Sequence, residues 1–291
     1  IFNFQYHNNQ IYHKFCRYLV KYSYNVTAVE EIPYLPIEFF KSRRVITTQQ
    51  KPQLVFESSG TTGQLVSKHY VIKPEIYEES YLKTFEHFYG NIKDYCVLAL
   101  LPSYMEREGS SLIYMVKDLI DKSENPKSGF YLNNKVELTK SLQSIDESGC
   151  KTILIGVSYA LLDFAENHSM NLRNTIIMET GGMKGRRIEL VRDELHRILK
   201  NSFGLNAIHS EYGMTELFSQ AYSQKNGLFN TPPWMKIIIR DANDPFSFVG
   251  ENTVGGINII DLANISSCPF IATQDLGKVT ASGIEILGRF D

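Results

Sequence analysis

Phe56-Glu57-Ser58-Ser59-Gly60-Thr61-Thr62-Gly63-Gln64 follows the apolar run Leu54 to Phe56 and crowds four hydroxyls and two glycines into a loop that has nothing to bury. Glycines let the backbone reach positive φ, so that successive N–H groups converge on an anion, and the hydroxyls add donors around the same oxygens. The loop is therefore a candidate phosphate cradle, although the same composition also makes an ordinary solvated loop. A Walker phosphate loop needs Gly-x-x-x-x-Gly-Lys followed by Ser or Thr, and neither Gly60 nor Gly63 begins such a run, which argues against P-loop chemistry.

Beyond the loop the pattern turns helical from Lys73, with Ile76, Tyr77, Tyr81, Phe85 and Phe88 on one face, Pro74 near the start and Gly90 at the C-cap. Strand-like Val97 to Leu101, helix-like Leu112 to Ile120 and Leu138 to Glu147, strand-like Thr152 to Val157, helix-like Tyr159 to Asn167 and strand-like Thr175 to Met178 come next. This alternation predicts an α/β fold, a mostly parallel sheet flanked by helices. The amphipathic stretch Ile188 to Leu199 leads to a short strand, Ala207 to His209, and a second polar loop, Glu211-Tyr212-Gly213-Met214-Thr215-Glu216. After Leu217 the runs Lys236 to Ile239, Ile257 to Ile260, Phe270 to Thr273 and Glu285 to Leu287 predict a smaller β-rich lobe. One domain over 1–291, with sub-lobes 1–95, 96–210 and 211–291, accommodates the pattern, and Asp121 to Gly129 is the expected flexible surface connection.

Bulk composition narrows the partners. With 30 Lys and Arg against 32 Asp and Glu, the net charge of −2 offers no basic excess for a nucleic acid. Cys16, Cys96, Cys150 and Cys268 form no Cys-x-x-Cys pair, which fits a reducing, cytoplasmic setting better than a zinc knuckle or disulfide framework. The apolar runs are far shorter than the ~20 residues of a membrane-spanning helix. The chain opens on Ile1 with no basic segment leading into an apolar one, so no signal peptide is expected in it.

Four motifs occur in one order: Ser58-Ser59-Gly60-Thr61-Thr62-Gly63, Tyr212-Gly213-Met214-Thr215-Glu216, Thr273-Gln274-Asp275-Leu276-Gly277 and Gly288-Arg289-Phe290-Asp291. The set resembles the core motifs of the adenylate-forming superfamily of acyl- and aryl-CoA synthetases and luciferases. Leu101 to Val116, Gly181-Gly182-Met183-Lys184-Gly185-Arg186, Ser267-Cys268-Pro269-Phe270-Ile271 and the opening Phe2-Asn3-Phe4-Gln5-Tyr6 look like the acyl-protein synthetase branch. That branch comprises the fatty-acid-activating component of bacterial luminescence reductase complexes and its non-luminous relatives. The resemblance implies the large N-terminal domain of such an enzyme, ATP and Mg²⁺, a carboxylic acid converted to acyl-AMP, and acyl transfer to a cysteine thiol. An acyl-CoA reductase-like protein is the implied partner.

By the same resemblance, Ser58, Ser59, Gly60, Thr61, Thr62 and Gly63 would hold the β- and γ-phosphates, Thr215 would touch the α-phosphate and Glu216 would ligate Mg²⁺. Tyr212, followed by Gly213, would stack on adenine opposite Gly181 and Gly182. Asp275 would accept from the ribose hydroxyls and Arg289 would approach ribose or phosphate. The chemistry is coherent, because carboxylate attack on phosphorus must overcome repulsion between anions and stabilise the departing pyrophosphate. Tyr104, Arg107 and Ser110 follow a strand ending at Leu101-Pro102, so they would line an acyl pocket or cap a helix. Lys184, Arg186 and Arg187 fit either a solvated face or a phosphate contact. His69 and His209 flank the two loops and read as structural donors. Read alone, each residue also has an ordinary role: Tyr212 in packing, Asp275 in a turn, Glu216 as a solvated acid.

The sequence departs from the superfamily pattern at Val66, where a lysine is common, and at Gln274, where a glycine is usual. It ends at Asp291, where superfamily members continue into a small C-terminal domain and the acyl-protein branch into a tail with its acceptor cysteine, so both are expected to be absent from these residues. Cys268, before Pro269 and an apolar run, is expected to be buried rather than an acceptor. Coenzyme A as the acceptor, or a nucleotide- or acyl-binding subunit without catalysis, are the competing readings.

Overall fold

The computed structural model describes residues 1–19, 26–59, 65–102, 109–181 and 190–290. The chain opens with helices α1 (Phe2–Asn8) and α2 (Gln10–Tyr18), the two-residue strand β1 (Leu35–Pro36) and the short helix α3 (Phe39–Ser42). A hairpin of β2 (Leu54–Glu57) and β3 (Lys68–Val71) precedes α4 (Pro74–Tyr89) and β4 (Tyr95–Leu100). Then come α5 (Ser111–Ser123), β5 (Gly129–Phe130), α6 (Lys135–Glu147), β6 (Lys151–Gly156), α7 (Ser158–Asn167) and β7 (Thr175–Thr180). The sequence continues through α8 (Arg192–Phe203), β8 (His209–Tyr212), β9 (Ala221–Ser223) and β10 (Leu228–Phe229). It finishes with β11 (Met235–Arg240), β12 (Gly255–Asp261), β13 (Phe270–Thr280) and β14 (Gly283–Arg289).

The predicted α/β alternation is present. Strands β5, β4, β6, β7 and β8 pair in that order, all parallel, and β9 joins the edge antiparallel. Helices cover this sheet, so every residue of β4 is buried, and all of β6 but Lys151. A parallel sheet buried on both faces needs such continuous apolar runs. The β-rich lobe is a second sheet in the order β10-β14-β13-β12-β11, antiparallel throughout, with β1 added parallel to β13. Tyr6, Tyr12 and Cys16 of the first two helices pack into the core of this second sheet with Phe229, Ile259 and Ile271. The start of the chain thus rests on its last third.

Four local expectations need correction. The Ser58 loop does not lead straight to a helix: β3 intervenes, pairing Glu57 with Lys68 through Leu54 with Val71. Its short Lys-His-Tyr-Val run carries little apolar signal because the partner strand decides its conformation. The helix expected over Ile188 to Leu199 starts at Arg192 and continues to Phe203. The strand expected over Ala207 to His209 runs from His209 to Tyr212, so Tyr212 lies on an ordered strand and not in a polar loop. Asp121 to Gly129 is a tight connection: α5 reaches Ser123, whose hydroxyl lies 2.8 Å from that of Ser128.

Candidate functional site

The carboxyl ends of parallel strands are where α/β sheets present ligand loops. Here β7 ends at Thr180-Gly181 and β8 at Tyr212, and the β13–β14 pair crosses nearby. Tyr212 Oη donates to Asp275 Oδ2 at 2.7 Å, and Arg289 Nε lies 3.5 Å from Asp275 Oδ1. Asp275 and Arg289 are cross-strand partners in the β13–β14 register. Asp275 is 13% exposed and Arg289 79% exposed, so one carboxylate is fixed while its cation reaches into solvent. Burial and the Asp275 charge push the Tyr212 phenol well above the ordinary range, keeping it a hydrogen-bond donor.

The second loop is held from below. His69 on β3 places Nδ1 2.8 Å from the Thr215 carbonyl and Nε2 3.0 Å from Asn264 Oδ1. Asn264 Nδ2 donates to the Glu216 carbonyl at 2.8 Å and to the Cys268 carbonyl at 3.1 Å. Asp261, at the end of β12, accepts from the Phe218 and Ser219 amides and the Ser219 hydroxyl. Gly213 leaves room for the buried Glu211 carboxyl: a Cβ there would come within 2.5 Å of Glu211 Oε1, which would have to shift. Gly181, at φ +66°, adopts the left-handed conformation that glycine tolerates best, and open space lies where a Cβ would project.

Glu216 is 5% exposed. Burial raises its carboxyl above the usual range, opposed by a hydrogen bond from Ser67, its own backbone amide, and the charges of Arg289 and Lys41. Those neighbours locate it: Ser67 belongs to the first hairpin, Arg289 to β14 and Lys41 to α3. The Ser58 hydroxyl in turn accepts from the Ser67 amide at 2.9 Å, and the Ser58 amide donates to the Ser67 carbonyl at 3.1 Å. The base of the first loop therefore meets the second loop at one carboxylate. A buried carboxylate that accepts from a hydroxyl and lies in the field of two cations suits a site that gathers a polyanion and a hard cation.

Ser58, Ser59, Gly181, Tyr212, Gly213, Thr215, Glu216, Asp275 and Arg289 are among the described residues; Tyr212, Asp275 and Arg289 are joined directly, Ser58 reaches Glu216 through Ser67, and the Thr215 and Glu216 carbonyls are tied together through His69 and Asn264. Gly60, Thr61, Thr62, Gly63, Gly182, Tyr104 and Arg107 lie outside the described residues, as do Lys184, Arg186 and Arg187. Ser110 accepts from the Ile113 amide at 3.4 Å as the N-cap of α5, the helix-capping alternative. His209 faces Tyr89 Oη at 3.1 Å and, like His69, is structural, with burial pushing both imidazoles down to about 4. Cys268 is buried and donates to the Phe270 carbonyl at 3.4 Å.

Sequence reading missed Ser67, His69 as the loop's anchor, Asp261 and Asn264. Asp261 had a legible signal, an acid closing the apolar run Ile257 to Ile260. Ser67 and Asn264 carried none, since their partners are distant in the chain.

No family model matches the sequence, and no curated protein matches it. Solved structures do, and they show its fold, that of the adenylate-forming enzymes. It aligns with ATP-bound MatB from Rhodopseudomonas palustris at a TM-score of 0.61 and 15% identity, over 83% of this chain and 49% of that one. It aligns with MenE from Bacillus subtilis, an O-succinylbenzoate coenzyme A synthetase in complex with ATP and magnesium ion, at a TM-score of 0.58 and 17% identity, over 82% and 51%. For a luciferase-like enzyme from the nonluminescent Zophobas morio mealworm the TM-score is 0.56 at 13% identity, over 84% and 59%. The chain spans about half the length of MatB and MenE. No helix among the described residues is long and apolar enough to cross a membrane.

Proposed function

We propose that residues 1–291 form the large N-terminal domain of an adenylate-forming ligase that converts a carboxylic acid and ATP to acyl-AMP and pyrophosphate. The observation that carries the reading is the hydrogen bond joining Ser67, at the base of the first loop, to Glu216 in the second, in the field of the Arg289 and Lys41 charges and with the Tyr212–Asp275 bond, within a fold whose solved relatives include ATP complexes. Asp275 would accept from the ribose hydroxyls, Tyr212 and Gly181 would bracket the base, and Arg289 would turn towards sugar or phosphate. Ser58 and Ser59, with Gly60 to Gly63, would hold the terminal phosphates, and Thr215 the α-phosphate.

Glu216 would be the protein carboxylate that holds Mg²⁺, a hard cation suited to carboxylate and phosphate oxygens. When bound, Mg²⁺ would neutralise charge on the phosphates. The chain's own groups would orient the acid for in-line attack and exclude water; no base is needed, since a carboxylic acid is already ionised near neutral pH.

The second half-reaction in this proposal is acyl transfer to a protein cysteine, as in long-chain-fatty-acid-protein ligases. The acceptor would lie in a partner such as an acyl-CoA reductase-like protein, or elsewhere in the polypeptide. Cys16, Cys96 and Cys268 are buried, and Cys150 sits beside Lys151 at the opening end of β6, away from the strand ends that build the site. Coenzyme A is the alternative thiol, favoured by the likeness to a coenzyme A synthetase.

Acid-dependent exchange between ATP and pyrophosphate, screened over acids of increasing chain length with the full-length protein, tests the first step. Glu216→Ala is expected to abolish exchange with the fold intact by circular dichroism. Unchanged exchange removes Glu216 from the site. Acyl-labelled protein on a gel against coenzyme A-dependent AMP release then decides the acceptor.

A further inference from the structure

Arg192 touches three residues that adjoin the site. Its Nε lies 3.5 Å from Glu179 Oε1, its Nη1 donates to the Ile286 carbonyl at 2.6 Å, and its guanidinium carbon stands 5.0 Å from the centroid of the Phe229 ring. Each contact leads to a residue of the nucleotide site. The Ser158 hydroxyl bridges Glu179 Oε2 at 3.1 Å and the Gly181 carbonyl at 2.6 Å. Phe229 meets the Tyr212 ring edge-on, with centroids 6.1 Å apart. Ile286 pairs with Gly277 on β13, two residues past Asp275, and lies three residues before Arg289.

Arg192 itself opens α8, which packs on the parallel-sheet half, whereas Ile286 and Phe229 belong to the second sheet. The planar fork of a guanidinium directs donors along two directions and stacks on a ring, a combination that a lysine ammonium lacks. At 29% exposure the side chain is also shielded enough to hold one geometry. We propose that Arg192 is a positioning residue that sets the base-side elements, Gly181 and Tyr212, against the ribose-side pair, Asp275 and Arg289. This rests on the nucleotide reading above and adds a residue outside all four motifs.

Calorimetric titration of the full chain with MgATP, and separately with inorganic tripolyphosphate, tests it in the wild type, Arg192→Met and Arg192→Lys. Tripolyphosphate needs the phosphate loop but neither base nor ribose contacts, so it separates a positioning effect from general loosening. The expected result is about tenfold weaker MgATP binding in R192M, tripolyphosphate affinity unchanged, and R192K between R192M and wild type. Equal MgATP affinity in wild type and R192M overturns the proposal, as does equal weakening of both ligands. If R192M does not fold, R192K decides alone: wild-type MgATP affinity in it overturns the proposal, and selective weakening supports it. A wild-type chain that binds tripolyphosphate or nothing, but not MgATP, removes the nucleotide reading itself.

Discussion

Tyr212 and Asp275 stand 63 residues apart in sequence and share a 2.7 Å hydrogen bond that ties the end of the parallel sheet to the antiparallel one. The bond fixes the phenol and leaves Asp275 Oδ1 with the exposed Arg289 as its cation. A carboxylate oriented in this way can accept from a sugar hydroxyl without first being immobilised, which lowers the ordering cost of binding.

The bond should be asymmetric in its energetics. Asp275→Ala leaves a half-buried phenol without its acceptor, at a cost of about 1–3 kcal/mol, whereas Tyr212→Phe removes only the bond, about 0.5–1.5 kcal/mol. Urea unfolding of the two variants should rank D275A below Y212F in stability, and MgATP titration should rank them in the same order. The reverse order in both measurements would falsify the role given to Asp275.

His69 should make the fold acid-sensitive. Both ring nitrogens face carbonyl oxygens, an arrangement that favours the imidazolium, but complete burial outweighs it and none of the ion pairs among the described residues includes His69. With the folded pKa lowered to about 4 from an ordinary 6.5, the unfolded chain takes up the proton first. Stability from this group is therefore present above pH 6.5 and is lost as pH falls towards 4, by roughly 3 kcal/mol. The wild-type loss between pH 7.5 and 5 should exceed that of His69→Gln by chemical denaturation. A wild type that instead weakens as pH rises through 6.5, relative to H69Q, means that the two carbonyls hold the imidazolium.

Glu211 should act with the opposite sign. Burial pushes its carboxyl up to about 7, with the Glu179 charge adding to the rise and the Thr180 hydroxyl opposing it. The folded protein retains this proton where the unfolded chain has lost it, so stability falls as pH rises from 4.5 to 7 and stays low above. Glu211→Gln keeps an acceptor for Thr180 and should be more stable than wild type at pH 8 by up to roughly 3 kcal/mol. The gap should narrow to under about 1 kcal/mol at pH 5. Equal unfolding midpoints at pH 8 would show that Glu211 finds compensation for its charge in the folded protein.

The strands β4, β6 and β7 and helices α4 to α7 were legible because their apolar residues recur with the period of the element and are buried by the sheet they build. Strand β3 was not, since four residues with one strong apolar signal owe their conformation to pairing with Leu54 to Glu57. Tyr212 read as a loop residue because Ser210 and Glu211, both buried, put polar groups into a strand where the pattern calls for apolar ones.

The sequence by itself determined the class of fold and the order in which the motif loops occur, because both follow from local periodicity and local backbone freedom. Which side chains meet was decided by the tertiary structure alone. Ser67 beside Glu216, Tyr212 on Asp275 and Arg192 across both sheets are contacts between residues tens to hundreds of positions apart, and only the pairing register and the packing of two sheets bring them within hydrogen-bonding reach.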